Sequence, residues 1–382
     1  MMRTMSYGKG LKISCVLVLC TAVCSLVAAP IATATRQFGR TVILERTSET
    51  SANASMGDLD GDGDLDLVLA KGRHWPLHDR VLLNNGKGEF TVARNLGDKP
   101  DRTYSAVLAD LDGDGDLDVL VSNDEPDTKL VYLNDGKANF RVSGTWGDPR
   151  WPTRNAAVAD LNGDHTPDII AANRGSASYV CLNDGRGNFN SRDWIVIPAE
   201  SATTIVAADF NRDGFIDLAV PHRDGGQSNV YFNDGKARFT KTRPFGPATS
   251  AARTAAAGDL NGDGWIDLVV GDERLGSFVY LNDGQGGFTS GMQLGEKTLV
   301  PYAIAIGDMN RDGKADVVIG YVTAPGSVFF NDGTGRTFEQ VRFGDGKGAV
   351  YGLALGDLNG DGYPDIAAAR SEAPNVVYFS GK

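Results

Sequence analysis

Aspartate occupies alternate positions from Asp58 to Asp66 in the stretch "DLDGDGDLD", and an apolar run follows at once. Nine-residue loops of this design recur along the chain, with oxygen-bearing side chains at positions 1, 3, 5 and 9 counted from the first Asp. The first three sets are Asp58, Asp60, Asp62 and Asp66; Asp110, Asp112, Asp114 and Asp118; and Asp160, Asn162, Asp164 and Asp168. The next two are Asp209, Asn211, Asp213 and Asp217, then Asp259, Asn261, Asp263 and Asp267. The last two are Asp308, Asn310, Asp312 and Asp316, then Asp357, Asn359, Asp361 and Asp365. Carboxylates this close repel unless a cation lies between them. Hard oxygen ligands in a flexible loop suit Ca²⁺, at about 2.3–2.6 Å per bond. Position 7 would add a backbone carbonyl, from Asp64, Asp116, Thr166, Phe215, Trp265, Lys314 or Tyr363. Up to seven Ca²⁺ are expected.

Position 6 is Gly in six loops, which permits the sharp turn around an ion. The third loop has His165 there and Pro167 beside it, so its site is expected to be the weakest. An EF-hand is excluded, because it needs a bidentate Glu at position 12. That position holds Leu69, Val121, Ala171, Val220, Val270, Ile319 and Ala368, all apolar. Solvated acidic turns without metal would account for one such loop, but poorly for seven in register.

The loops need strands to hold them. Their first aspartates, from Asp58 to Asp357, recur every 49 to 52 residues. Each repeat has an Ala/Val/Ile run, the acidic loop, a second apolar run, a third run ending in Asn-Asp-Gly or a close variant, and a Phe opening a fourth. Asn-Asp-Gly between apolar runs signals a hairpin. Four short strands in seven repeats of this length predict an all-β, seven-bladed propeller. Phe90, Phe140, Phe189, Phe239, Phe288 and Phe338 mark six fourth strands, and the last repeat lacks its own. Phe38 supplies the missing copy, so the N-terminal strand is expected to close the last blade.

The N-terminus reads as an export signal: Arg3, Lys9 and Lys12 precede an apolar stretch from Ile13 to Ala29, with small residues up to Ala34. Residues 1–34 are expected to be removed and 35–382 to form the propeller. Cys15, Cys20 and Cys24 fall in the leader, leaving Cys181 without a disulfide partner, as a buried strand residue. A secreted or periplasmic location follows, without membrane insertion once the leader is gone. With 37 basic and 49 acidic side chains the formal charge is −12, and loss of the leader deepens it. Seven dications would cancel most of it, so the acidity reflects metal sites. No basic stripe suggests a nucleic-acid partner, and a monomer is expected.

The "DLDGDGDLD" loop, the Asn-Asp-Gly turns and the period resemble the FG-GAP or VCBS repeat family, whose relatives include the seven-bladed propeller at the head of integrin α chains. The resemblance covers about Phe38 to the end and implies the same fold and calcium. It leaves function open, since the family includes adhesins, glycan-binding modules and some polysaccharide lyases.

Ligands are expected on the face opposite the acidic loops. Five residues after each loop's last Asp lies a polar ring: Lys71, Asn123, Asn173, His222, Asp272, Tyr321 and Arg370. Six residues before each first Asp lie Ala52, Tyr104, Arg154, Thr203, Arg253, Tyr302 and Tyr351, at the mouth of a central channel. Nearby loops add Arg73, His74 and Trp75, and also Trp146, Arg150 and Trp151. Aromatic faces pack on sugar C–H surfaces and Arg forks bind carboxylate or sulfate. Polar strand ends facing water would look the same. An extracellular glycan or protein ligand is expected. The alternative is a lyase cleaving uronate polysaccharide by β-elimination, with His74 or His222, Tyr302 or another mouth tyrosine, and Arg253 or Arg154 as catalytic groups.

Overall fold

The computed structural model describes residues 36–189 and 191–382. The expected leader, residues 1–34, and the boundary at its end lie outside them. Every regular element among the described residues is a strand, and the strands form seven four-stranded antiparallel sheets. Blade 2 is representative: Thr103–Ala109, Asp118–Asn123, Leu130–Leu133 and Arg141–Thr145 pair in chain order. The first strand of each blade is innermost and touches the first strands of both neighbours, which closes the ring around a channel. The expected all-β, seven-bladed fold is the one found.

Burial explains the run types. The second strand is covered on both faces, so it reads as continuous apolar sequence rather than alternation. Asp66–Lys71, Asp118–Asn123 and Asp168–Asn173 are buried at every residue. Fourth strands lie outermost and are largely exposed, as in Val92–Asn95. The core is a set of clusters between neighbouring blades; one joins Val68, Val81 and Leu83 of blade 1 to Val119, Val121 and Tyr132 of blade 2.

The last blade is built from both ends of the chain. Gln37–Ile43 pairs antiparallel with Val376–Gly381, outside Asp365–Ser371 and Ala349–Gly356. Phe38 is buried and meets Phe343 edge-on at 6.2 Å. The other marker phenylalanines sit slightly differently from expectation. Phe338 opens its strand, but Phe90, Phe140, Phe189, Phe239 and Phe288 precede theirs, in the turn leading to them.

Candidate functional site

Each acidic loop follows an inner strand. In the first loop Asp58 Oδ1 accepts the Gly61 N–H at 2.8 Å and Oδ2 accepts the Gly63 N–H at 3.0 Å, so one carboxylate winds the turn. Position 6 is left-handed in all seven loops, from φ +95° at Gly115 to +67° at His165. Position 5 accepts the N–H of position 7, as Asp62 does from Asp64 at 2.9 Å. Position 9 is fully buried: Asp66 accepts Leu59 N–H at 3.0 Å and Asn84 N–H at 2.8 Å. Burial pushes Asp66, Asp118, Asp168, Asp267 and Asp365 up to about 6, and Asp217 and Asp316 up to about 7, against those two N–H donors.

The fit to a hard cation differs between loops. Carboxylate oxygens of Asp58, Asp60 and Asp66, and of Asp110, Asp112 and Asp118, converge within 4.8 Å of one another. Asp60 Oδ1 and Asp112 Oδ1 are buried and have no hydrogen-bond partner among the described residues, so their lone pairs fit a cation ligand. In loops three to five the position 3 Asn donates to the position 5 Asp, from Asn162 to Asp164 at 2.8 Å, Asn211 to Asp213 at 2.9 Å and Asn261 to Asp263 at 2.8 Å. Loop six repeats this at 3.3 Å, between Asn310 and Asp312, while Asn359 of loop seven donates to Asp365 at 3.3 Å. These amides must turn to present oxygen.

Site three is not alone in departing from the pattern. Position 4 is also left-handed, and Arg212 and Arg311 occupy it at φ +56° and +58°. In loop six the Lys314 ammonium lies 3.4 Å from Asp312, where it would compete with a cation.

The asparagine of each Asn-Asp-Gly turn has a role beyond the turn, which sequence reasoning missed. Asn134 Nδ2 donates to Leu59 O of the preceding blade at 2.8 Å and to Leu117 O of its own blade at 3.1 Å. Asn84, Asn183, Asn233, Asn282 and Asn331 repeat the bond to the preceding blade's acidic loop. Ser380 stands at this place in the last blade, and Arg36 donates to its Oγ at 2.9 Å.

The polar ring at the second-strand ends is not a ligand surface. Tyr321 is 2% exposed and Arg370 5% exposed, and Lys71, Asn123, Asn173 and Asp272 are buried as well. These residues end the doubly covered strand, so their polar groups tie the chain to itself. Arg370 bonds Asp345 at 2.7 Å and Pro374 O at 2.6 Å. Lys71 is clasped by Glu45 and Glu49. Half-buried His222 faces a separate cavity with Pro198, Gln227 and Tyr231, so it does not join Tyr302 and Arg253. Trp146 and Trp151 are also buried, whereas Trp75 is 67% exposed.

The inner-strand ring does converge. One cavity of about 370 Å³ at the channel mouth is lined by Arg73, His74, Tyr104, Arg154, Arg253, Tyr302 and Tyr351, with Arg174 and Arg223. It lies at the opposite end of the inner strands from the acidic loops, about 20 Å away for a seven-residue strand. Guanidiniums stack on rings: Arg73 on Tyr351 at 3.8 Å, Arg154 on Tyr104 at 4.4 Å, Arg253 on Tyr302 at 3.7 Å. Tyr104 Oη lies 2.8 Å from His74 Nε2, His74 Nδ1 lies 3.3 Å from Asp124, and Arg154 lies 2.7 Å from Asp124. Burial, then the Arg154 charge, lowers the His74 pKa, and burial raises that of Tyr104. The imidazole is therefore neutral near pH 7 and able to accept a proton.

The FG-GAP-like repeat matches residues 58–121, 110–171, 160–220, 222–270, 259–319 and 308–368. No curated protein matches the chain significantly. Among solved structures, one of an Agrocybe aegerita lectin, described as specifically recognising non-reducing terminal N-acetylglucosamine, superposes with TM-score 0.57 at 21% identity. That match covers 85% of this chain and 86% of the lectin. BBS1N in complex with ARL6DN, soaked with mercury, superposes with TM-score 0.61 at 11% identity over 90% of this chain and 96% of that one. The lead-soaked form gives 0.60 at 12% identity, with the same coverage. At these identities the likeness concerns the fold.

Proposed function

The chain belongs to the FG-GAP-like repeat family, and from that premise we propose an exported, calcium-stiffened propeller that recognises an extracellular glycan or protein ligand at its channel mouth. The observation that carries this reading is the division of labour between the ends of the inner strands. One end is committed to acidic loops and turns. The other gathers tyrosines and arginines around a cavity. Tyr302 and Tyr351 meet edge-on at 4.9 Å and present ring surface beside guanidinium donors, a combination that suits sugar rings. A lectin and a protein complex among the solved structures of this fold are in keeping with a binding role.

Calcium enters through the loops described above. Bound there, it would supply the positive charge that lets three carboxylates share one turn, and it would take no part at the mouth. Export rests on the leader-like residues 1–34 and on a single remaining cysteine. A glycan array with the full mature chain in calcium tests the reading. Tyr302→Ala and Arg253→Ala are expected to abolish the signal; a signal indifferent to both would move the ligand elsewhere.

A second reading, uronate β-elimination, is favoured by the Tyr104–His74 contact. An arginine would neutralise the uronate carboxylate. The Tyr104–His74 pair would take the proton beside that carboxylate and return it to the departing glycosidic oxygen, giving an unsaturated sugar. Ultraviolet absorbance appearing on incubation with uronate polysaccharide, and lost in His74→Ala, supports it. No absorbance leaves the binding reading.

A further inference from the structure

The charges at the channel mouth fall into a pattern that names the ligand class. We propose that the mouth is a two-pole anion site, selecting a small ligand that carries two acidic groups. This rests on the binding reading above and deepens it.

Among the described residues five arginines line the cavity and no carboxylate does. The acids that partner these arginines stand behind the wall and are too few. At the first pole Arg73 and Arg154 have one carboxylate between them, Asp124, which contacts Arg154 at 2.7 Å. Arg73 donates to Ser371 Oγ at 3.2 Å and stacks on Tyr351, with no acid among the described residues within ion-pair distance. At the second pole Arg223 and Arg253 share one oxygen, Glu273 Oε1, at 2.9 and 3.1 Å. The fifth arginine, Arg174, forms a paired fork with Asp224 at 2.8 and 3.1 Å and is neutralised. Each pole thus keeps one uncompensated positive charge while His74 is neutral.

The guanidiniums are also held in advance. The side chains of Arg154, Arg223 and Arg253 are 17%, 16% and 12% exposed, and ring stacking fixes the first and third. Partial burial strengthens their pull on an anion, and fixed rotamers reduce the entropy lost on binding. A cavity of about 370 Å³ is at the small end of ligand pockets. The arginines gather at the mouth and the chain has no basic stripe to extend them, so an extended polyanion gains little beyond the mouth. A diacidic disaccharide or chain end fits these constraints.

Calorimetric titration of the full mature chain in calcium tests this with digalacturonate, galacturonate, lactose and inorganic sulfate. Digalacturonate is expected to bind about tenfold or more tightly than galacturonate, and to weaken steeply with salt. Arg73→Gln and Arg223→Gln should each weaken it about tenfold with an unchanged melt, while Arg186→Gln, in an Asn-Asp-Gly turn, should not. Ultraviolet absorbance in the same solution separates binding from elimination. Lactose binding as tightly as digalacturonate would overturn the anion site and leave glycan recognition standing. Sulfate binding without any saccharide would keep the anion site and overturn glycan recognition. Equal affinity for the mono- and diacid, indifference to both arginine variants, or no binding at all would overturn the two-pole site.

Discussion

Asp79 shows how one residue can set a pH dependence. It is 5% exposed and accepts the Lys71 N–H at 2.7 Å. Thr103 Oγ1 lies 2.8 Å from Asp79 Oδ2 and 2.8 Å from Asn123 Oδ1, yet has one proton for two acceptors. Protonating Asp79 resolves the conflict, because the acid then donates to Thr103, which donates to Asn123. Burial pushes Asp79 up to about 7, well above the unfolded value of about 3.9. Between those values the folded state holds a proton that the unfolded state has released, so stability falls as pH rises from about 4 to about 7. Asp79→Asn supplies the donor permanently. It is expected to flatten this slope in urea melts across that window; an identical slope would show that Asp79 is ionised throughout. His165 offers a backbone counterpart. At φ +67° a β-carbon costs about 1 kcal/mol, so His165→Gly should raise the melting temperature by about 2 °C.

At the scale of the hairpin, the acidic loop was legible because all its oxygens lie in one stretch and its strand follows directly. The asparagine staple was not, since Asn183 meets Leu111 O across 72 residues and the same Asn-Asp-Gly would serve a plain turn. The second-strand ring misled for a related reason. A polar residue at a strand end looks solvated until the covering blade is known, and Tyr321 and Arg370 end strands buried on both faces. Asn183→Ala should cost about 1–3 kcal/mol by leaving buried carbonyls unpaired, measurable in denaturant melts. The loops also divide into types. Only loops one and two have Asp at position 3 with a buried, unpartnered oxygen. Calcium titration is expected to resolve two tight sites and a weaker remainder, with Asp60→Asn and Asp112→Asn moving the tight pair into the weaker class. A single class untouched by either change would make the Asp and Asn loops equivalent.

The whole ring has one joint where chain continuity does not help, and it has no disulfide. Cys181 is buried and free. The joint is held by Gln37–Ile43 on Val376–Gly381, by Phe38 against Phe343, and by Arg36 reaching Ser380 where other blades place asparagine. The ring's excess of acidic over basic side chains strains it, with the strain concentrated in the acidic loops. A ligand that binds only the folded state at a hundredfold excess over its dissociation constant adds about 2.7 kcal/mol per site. Two tight sites would add about 5 kcal/mol, or about 10 °C in a domain of this size. Calorimetric scans with a chelator should therefore show a melt lower by about that amount, restored by calcium. Arg36→Ala should lower the calcium-bound melt by a few degrees, since it weakens the joint, and it also releases Asp361 of loop seven, 4.0 Å away, and uncovers Tyr363. If the chelated protein melted where the calcium-bound protein does, cohesion would have to come from the inter-blade apolar clusters alone, and the acidic loops would be turns without a stabilising ion.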